Sequence, residues 1–275
     1  MNKKLLFSII VSAALVACES DDNTPDVTAP VLEVEEPESG EQFAAGDEIH
    51  AHGEVSDDEG LASYNVTIHD DFDDHTHGRT LSAFAFDQSY VVEGATAEID
   101  VEIDIDADAT AGPYHFIVQA IDAAGNSTSF ADGSAIERQI WITNDQMPLV
   151  HFHDANGTEI EEYEAVVDEA IAFYGLIEDQ SGTLDHVDIE VGHAEEVEEH
   201  DHEHARVLDE AIFDQAYEVE GATSVTIQSL LADANIVVSQ SDLDELEEGE
   251  HLYLMITALD EDGNSSYHQI AIHFD

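Results

Sequence analysis

Apolar and polar residues alternate along much of the chain. Ile99, Val101, Ile103 and Ile105 are separated by Asp100, Glu102 and Asp104; Phe116, Val118 and Ala120 keep the same period, as do Leu252, Leu254, Ile256 and Ala258. A period of two sends every second side chain to one face of a strand, so each run predicts a strand with one face in a core and the other in water. Asp-x-x-Gly-Asn turn signals at residues 122–126 and 260–264 each separate two such runs, as the turn of a closing hairpin does. Residues 163–174 are ambiguous, because their alanines and acids also suit a helix. Residues 241–246, led by Ser241 and Asp242, have the cap and spacing of one or two helical turns.

The pattern occurs twice. Phe86-Asp87-Gln88-Ser89-Tyr90-Val91-Val92-Glu93-Gly94-Ala95-Thr96 returns as Phe213-Asp214-Gln215-Ala216-Tyr217-Glu218-Val219-Glu220-Gly221-Ala222-Thr223. Upstream, Gly53-Glu54-Val55-Ser56-Asp57 corresponds to Gly175-Leu176-Ile177-Glu178-Asp179; downstream, residues 120–127 correspond to residues 258–265. Short alternating strands at turn-punctuated intervals build sandwiches, so the expected fold is all-β, with two tandem immunoglobulin-like β-sandwich domains at residues 29–145 and 146–275. The repeat sets residues 163–174 against a strand-like stretch, and strand is therefore expected there.

Ahead of the first repeat, Lys3 and Lys4 precede an apolar run from Leu5 to Val16, the layout of a secretory signal peptide over residues 1–17. Leu15-Val16-Ala17-Cys18 resembles a lipobox, which predicts cleavage before Cys18 and acylation of it. Residues 18–28 are then an acidic, flexible tether. The acids after the cysteine resemble signals that export lipoproteins to the cell surface. The expectation is an outer-membrane lipid anchor on the periplasmic or the surface face, with the surface favoured.

Beyond Cys18 the strong cations are Arg79, Arg138 and Arg206, against 65 acidic residues in the chain. Nucleic acid and anionic lipid surfaces both require positive charge and are excluded as partners. The hydrophobic content of 43% argues for a folded protein all the same. Cys18 is the single cysteine, so no internal disulfide and no thiolate metal site can form.

All 16 histidines follow Cys18, and many recur at spacing two: His50 and His52, His75 and His77, His151 and His153, then His200, His202 and His204. On a strand such pairs share a face about 7 Å apart, and two rings can lean onto one ion held at about 2.1 Å. Imidazole favours zinc or copper over calcium. The candidate ligands are His50, His69, Asp73, His75, His77 and His115 in the first repeat, and His193, His200, His202, His204 and His251 in the second. Bland readings stand beside this one. Protonated histidines relieve repulsion among carboxylates; His151, His153 and His52 serve equally well as a polar strand face; His186 and His268 are solitary, and His273 reads as a solvated strand residue. Asp100 and its alternating neighbours fit an exposed face, and turn chemistry accounts for the acids of residues 260–264.

Gly46-Asp47-Glu48-Ile49-His50, Ser56-Asp57, Ile68-His69-Asp70-Asp71-Phe72-Asp73-Asp74-His75-Thr76-His77 and Gly112-Pro113-Tyr114-His115 together resemble a lipoprotein family, domain of unknown function 4625. The resemblance implies a lipid-anchored, immunoglobulin-like, histidine-marked protein that handles metal at the envelope. The second repeat departs from that pattern: Ala172 and Tyr253 stand where histidines would, and the Phe-Asp-x-His-x-His loop is rebuilt.

The expected function is binding of zinc, or of copper, for storage, sensing or delivery to an outer-membrane metal transporter. The alternative is a stalk or adhesion module without functional metal. Catalysis is not expected: Gly-x-Ser-x-Gly, His-Glu-x-x-His and phosphate-loop motifs are missing, and a dismutase-like sandwich would need a disulfide.

Overall fold

The structure is a computed structural model that describes residues 25–72, 83–193, 211–244, 246 and 251–274. The first repeat forms β1 (Val31–Glu36), β2 (Gln42–Ala44), β3 (Glu48–Ser56), β4 (Leu61–Asp70), β5 (Phe86–Val91), β6 (Thr96–Asp104), β7 (Gly112–Asp122) and β8 (Ile136–Thr143). They make two sheets, β1-β3-β6 and β2-β8-β7-β4-β5. β1 runs antiparallel to β3, whereas the next short strand, β2, crosses to the other sheet and pairs parallel with β8.

The second repeat forms β9 (Leu149–His153), β10 (Glu162–Ala165), β11 (Tyr174–Glu178), β12 (Leu184–His193), β13 (Phe213–Ala222), β14 (Ser224–Thr226), α1 (Ile227–Leu230), α2 (Gln240–Asp244), β15 (Leu252–Asp260) and β16 (Ser265–Phe274). Its sheets, β14-β11-β9 and β10-β16-β15-β12-β13, have the same order strand for strand, with β10 again parallel to the last strand. The protein is therefore all-β, two immunoglobulin-like sandwiches in tandem.

Alternation explains each core. Ile49, Ala51 and Val55 on β3 and Ile99, Val101 and Ile103 on β6 face Tyr64, Val66 and Ile68 on β4 and Tyr114, Phe116 and Val118 on β7. The second core is built separately around Ile177, Val187, Ile189, Val191, Leu254, Ile256 and Ile270. Each fully buried aliphatic or aromatic side chain of this size contributes about 1.5–3 kcal/mol. Two of the buried tyrosines, Tyr114 and Tyr163, keep their hydroxyls paired. Tyr114 donates to Thr110 O at 2.9 Å and accepts from Phe84 N at 3.3 Å, and Tyr163 donates to Tyr174 O. Burial pushes both phenols up to about 12.

Three local departures from the sequence expectation have physical causes. Within residues 163–174 strand is confined to the two ends, because a turn with Asp168 at φ 62° and an isolated bridge from Ala170 to Val237 interrupt it. The expected helical turn starts earlier, at Gln240, because Ser239 caps it: Ser239 N donates to Asp242 Oδ2 at 2.6 Å while Asp242 N reaches Ser239 Oγ at 3.4 Å. α1 was not foreseen. Ile227, Leu230 and Leu231 follow helical rather than alternate spacing, and Thr226 caps the turn by accepting from Ser229 N.

Gly53 and Gly175 occupy the same place in the two copies, where the first strand crosses closest. A Cβ at Gly53 would lie 2.3 Å from Glu33 O, and one at Gly175 would lie 2.5 Å from His151 O. Gly53→Ala and Gly175→Ala are each expected to cost about 1–3 kcal/mol, as overpacking usually does. Urea unfolding of the two variants checks this, and an unchanged midpoint would contradict it.

Candidate functional site

The candidate residues divide between two outward faces of the first sandwich. On β4 and β7 the register sets His69 opposite His115, and their rings meet edge-on at 5.3 Å. His115 Nε2 lies 3.1 Å from Asp71 Oδ2 and its Nδ1 3.6 Å from Glu137, while His69 Nδ1 is 3.0 Å from Asp70 O. Both histidines follow buried-exposed alternation and point away from the core of the five-stranded sheet.

His50 is elsewhere. It sits with His52 on the outward face of the three-stranded sheet, so the grouping of His50 with His69 and His115 does not form: β3 and β4 belong to different sheets. The partners of His50 are Asp100 Oδ1 at 2.8 Å from Nε2 and Glu36 Oε2 at 3.1 Å from Nδ1. The His52 ring stacks on that of His50 at 5.7 Å, and His52 Nε2 is 3.6 Å from Glu35 Oε2. One ligand atom from each of His50, His52 and Asp100 lies within 4.8 Å of the other two. Two imidazoles and a carboxylate form a donor set suited to zinc.

Asp73, His75, His77, His200, His202, His204 and Cys18 lie outside the described residues. In the second sandwich His193 ends β12 and pairs with Leu252, the neighbour of His251, so these two candidates share one end of the sheet. The second His-x-His of described strand is His151 with His153, whose rings stack at 6.4 Å on β9. His151 has Glu159 and Glu178 each at 3.8 Å, a separation at which charge attracts without a hydrogen bond. The solitary His186 is buried between Asp185 and Asp188, at 3.3 and 3.6 Å.

Sequence reasoning missed Asp100 as a partner of His50. Its alternation with apolar residues marks an exposed face, but the identity of the neighbouring strand comes only from β3–β6 pairing, which sets His52 opposite Asp100 and His50 one step along. Such pairings matter because cations are scarce. Among the described residues Arg138 is the one lysine or arginine, and it donates to Val34 O at 2.7 Å and Pro37 O at 2.6 Å, tying the end of β1 to β8. The hydrogen bond to Asp100 first, and that to Glu36 second, raise the His50 imidazole above its ordinary value of 6.5.

The sandwiches also touch through a polar junction. Ser265 N donates to Ala111 O at 2.9 Å, and the buried Asn264 accepts at Oδ1 from Ala111 N at 3.1 Å and from Asn144 Nδ2 at 2.8 Å. Asn264 is itself fixed by Asp260, which accepts from its backbone N at 2.7 Å and its Nδ2 at 2.9 Å. The Asp-x-x-Gly-Asn turn thus serves as the docking element of the second sandwich.

Residues 16–137, which include most of the first sandwich, match the model of a family described as a domain of unknown function, DUF4625. No curated protein sequence matches the chain. Among solved structures it is similar to fibronectin(III)-like modules of Clostridium thermocellum CbhA, at 14% identity over 89% of this chain and 94% of that one, with a TM-score of 0.26. A chimeric titin Z1Z2-Z1Z2 tandem aligns at 9% identity over 89% and 99% of the two chains, with a TM-score of 0.29. A tetra-tandem repeat in the extending region of a large adhesion protein aligns at 13% identity over 90% of this chain and 50% of that one, with a TM-score of 0.30. At these scores the likenesses carry no functional argument, and the architecture stands on its strand order.

A raised His50 has a definite pH signature. In the folded protein its ring should titrate above 6.5 by NMR, and Asp100→Asn should move it down towards that value. The sign for stability follows: the pairing stabilises fully below the unfolded pKa and is lost as pH rises through the higher folded one. A His50 titration unaffected by Asp100→Asn would remove Asp100 as the cause.

Proposed function

We propose that this protein is a non-catalytic, lipid-tethered spacer or adhesion module, in which two immunoglobulin-like sandwiches hold a fixed mutual orientation outside the cytoplasm. The observation that carries the reading is the junction at Asn264, where side-chain and backbone hydrogen bonds join the two sandwiches instead of leaving a free linker. A surface spacer has to transmit position, and buried hydrogen-bonded contacts between domains do so where a flexible linker would not. The lipid anchor on Cys18 and an outer-membrane location belong to this proposal. The acidic surface suits a partner or medium rich in cations rather than nucleic acid.

The two sandwiches should tumble as one body in 15N relaxation of the full chain, with equal rotational correlation times. Asn264→Ala removes both acceptor contacts of the junction, at a cost of about 1–3 kcal/mol for buried groups left unpaired, and should separate the two correlation times. Independent tumbling in the unaltered protein would end the spacer reading.

Transition-metal capture is the second reading, and the trio of His50, His52 and Asp100 favours it. Zinc requires neutral imidazole, so affinity should climb as pH rises through the raised His50 value. Calorimetric titration with zinc near pH 7.5 should lose one site in a His50→Ala, His52→Ala double variant, whereas His69→Ala should leave that site intact. Equal zinc stoichiometry in the double variant and the parent would exclude this face.

A further inference from the structure

At the tether end of the first sandwich a second kind of site is built from oxygen alone. Asp26, in the segment ahead of β1, and Asp57 and Asp58, in the turn after β3, bring one carboxylate oxygen each within 4.8 Å of the others. Asp122, at the end of β7 and 2% exposed, has its carboxyl in contact with that of Asp26. Its own oxygens accept from Gly125 N, Asn126 N and Asn126 Nδ2.

Asp57 supplies the deciding observation. Only 9% of the residue is exposed; Oδ1 accepts from Glu59 N and Gly60 N, whereas Oδ2 is buried and has no hydrogen-bond partner. Asp26 repeats the pattern, with Oδ1 accepting from Thr28 N and Oδ2 buried and unpartnered. Buried carboxylate oxygens facing one another repel and have lost their hydration, so the arrangement calls for a positive charge between them. Arg138 is held at the carbonyls of Val34 and Pro37 and does not supply it.

The second copy keeps the aspartate of the turn and differs at the position of Asp26. Asp179 corresponds to Asp57, with Oδ1 taken by Ser181 N and Gly182 N and Oδ2 again unpartnered. The counterpart of Asp26 is Asn144: each lies four residues before the proline that precedes the first strand, and the Asn144 Oδ1 accepts from Gln146 N just as Asp26 accepts from Thr28 N. Asn144 carries an amide, and that amide donates to Asn264 and to Ala109 O. A carboxylate cannot donate. Where the second sandwich is closed by an amide hydrogen bond, the first places another negative oxygen.

We infer that Asp26, Asp57 and Asp58 bind a hard divalent cation of the calcium class, clamping the tether onto the end of the first sandwich beside Asp122. Calcium takes six to eight oxygen ligands, and clustered carboxylates completed by carbonyls and water satisfy it. The imidazole trio on the outward face is chemically distinct, because nitrogen donors select zinc or copper instead.

The test is calorimetric titration of the purified full chain with calcium chloride at about 0.15 M salt, which screens diffuse attraction to the acidic surface. A saturable event and a higher melting temperature are expected. Asp26→Asn should weaken binding about tenfold or more, as loss of a charged ligand does, and it should fold because Asn144 already occupies the equivalent place. Asp57→Asn, which keeps the acceptor for Glu59 N and Gly60 N, should do the same, and Asp108→Asn on the exposed surface should change nothing. Identical isotherms for the parent, Asp26→Asn and Asp57→Asn, or heats that never saturate, would overturn the assignment. The outcome is independent of whether the two sandwiches tumble together, so it can fail while the spacer reading stands.

Discussion

A chain with 65 acidic residues, five lysines and arginines and a formal net charge of −60 can fold only if nearly every carboxylate stays at the surface. Strict alternation achieves this. On β6 the acids at 98, 100, 102 and 104 face outward because Ile99, Val101 and Ile103 face in, and β3 and β1 follow the same rule. The consequence is an outward face on the three-stranded sheet that is almost all carboxylate. His50 and His52 are the side chains that offset it, and Arg138 is drawn to backbone carbonyls rather than to an acid.

This arrangement explains what was legible in the sequence. Alternation gives strands and their buried faces directly, and the repeat of residues 86–96 at 213–223 gives the tandem, because both signals are local or identical in two places. Where the copies diverge the repeat misleads. Residues 224–230 correspond to a long strand in the first copy but carry apolar residues at helical spacing, and only a short strand survives before α1. The His69 and His115 pairing was within reach of the sequence, since the two residues lie on strands that neighbour each other in any sandwich of this order. The company of His50 was not, because which outward face a residue joins depends on sheet membership, a property of the whole fold.

The acids at Asp57, Asp122, Asp179 and Asp260 illustrate a different limit. Each holds a turn through its carboxylate, so turn chemistry is a sufficient reason for its presence in the sequence. Their burial, and the orphaned second oxygen of Asp57 and Asp179, appear only when turns from separate strands meet at one end of a sandwich.

Comparing the copies separates scaffold from decoration. Strand order, the glycine beneath the first strand and the paired aspartate turns are common to both. What changes is polar: the His-x-His ladder lies on β3 in one sandwich and on β9 in the other, and Asp26 gives way to Asn144. The substitution follows location. At the junction the first sandwich offers Ala109 O and the second offers Asn264 Oδ1, and an amide, able to donate and accept at once, joins the two protein surfaces. At the tether end the same position holds a carboxylate beside two others, an arrangement that a cation can complete. The repeated scaffold therefore presents one end to protein and the other to an ion, and the difference rests on a single atom of side-chain chemistry.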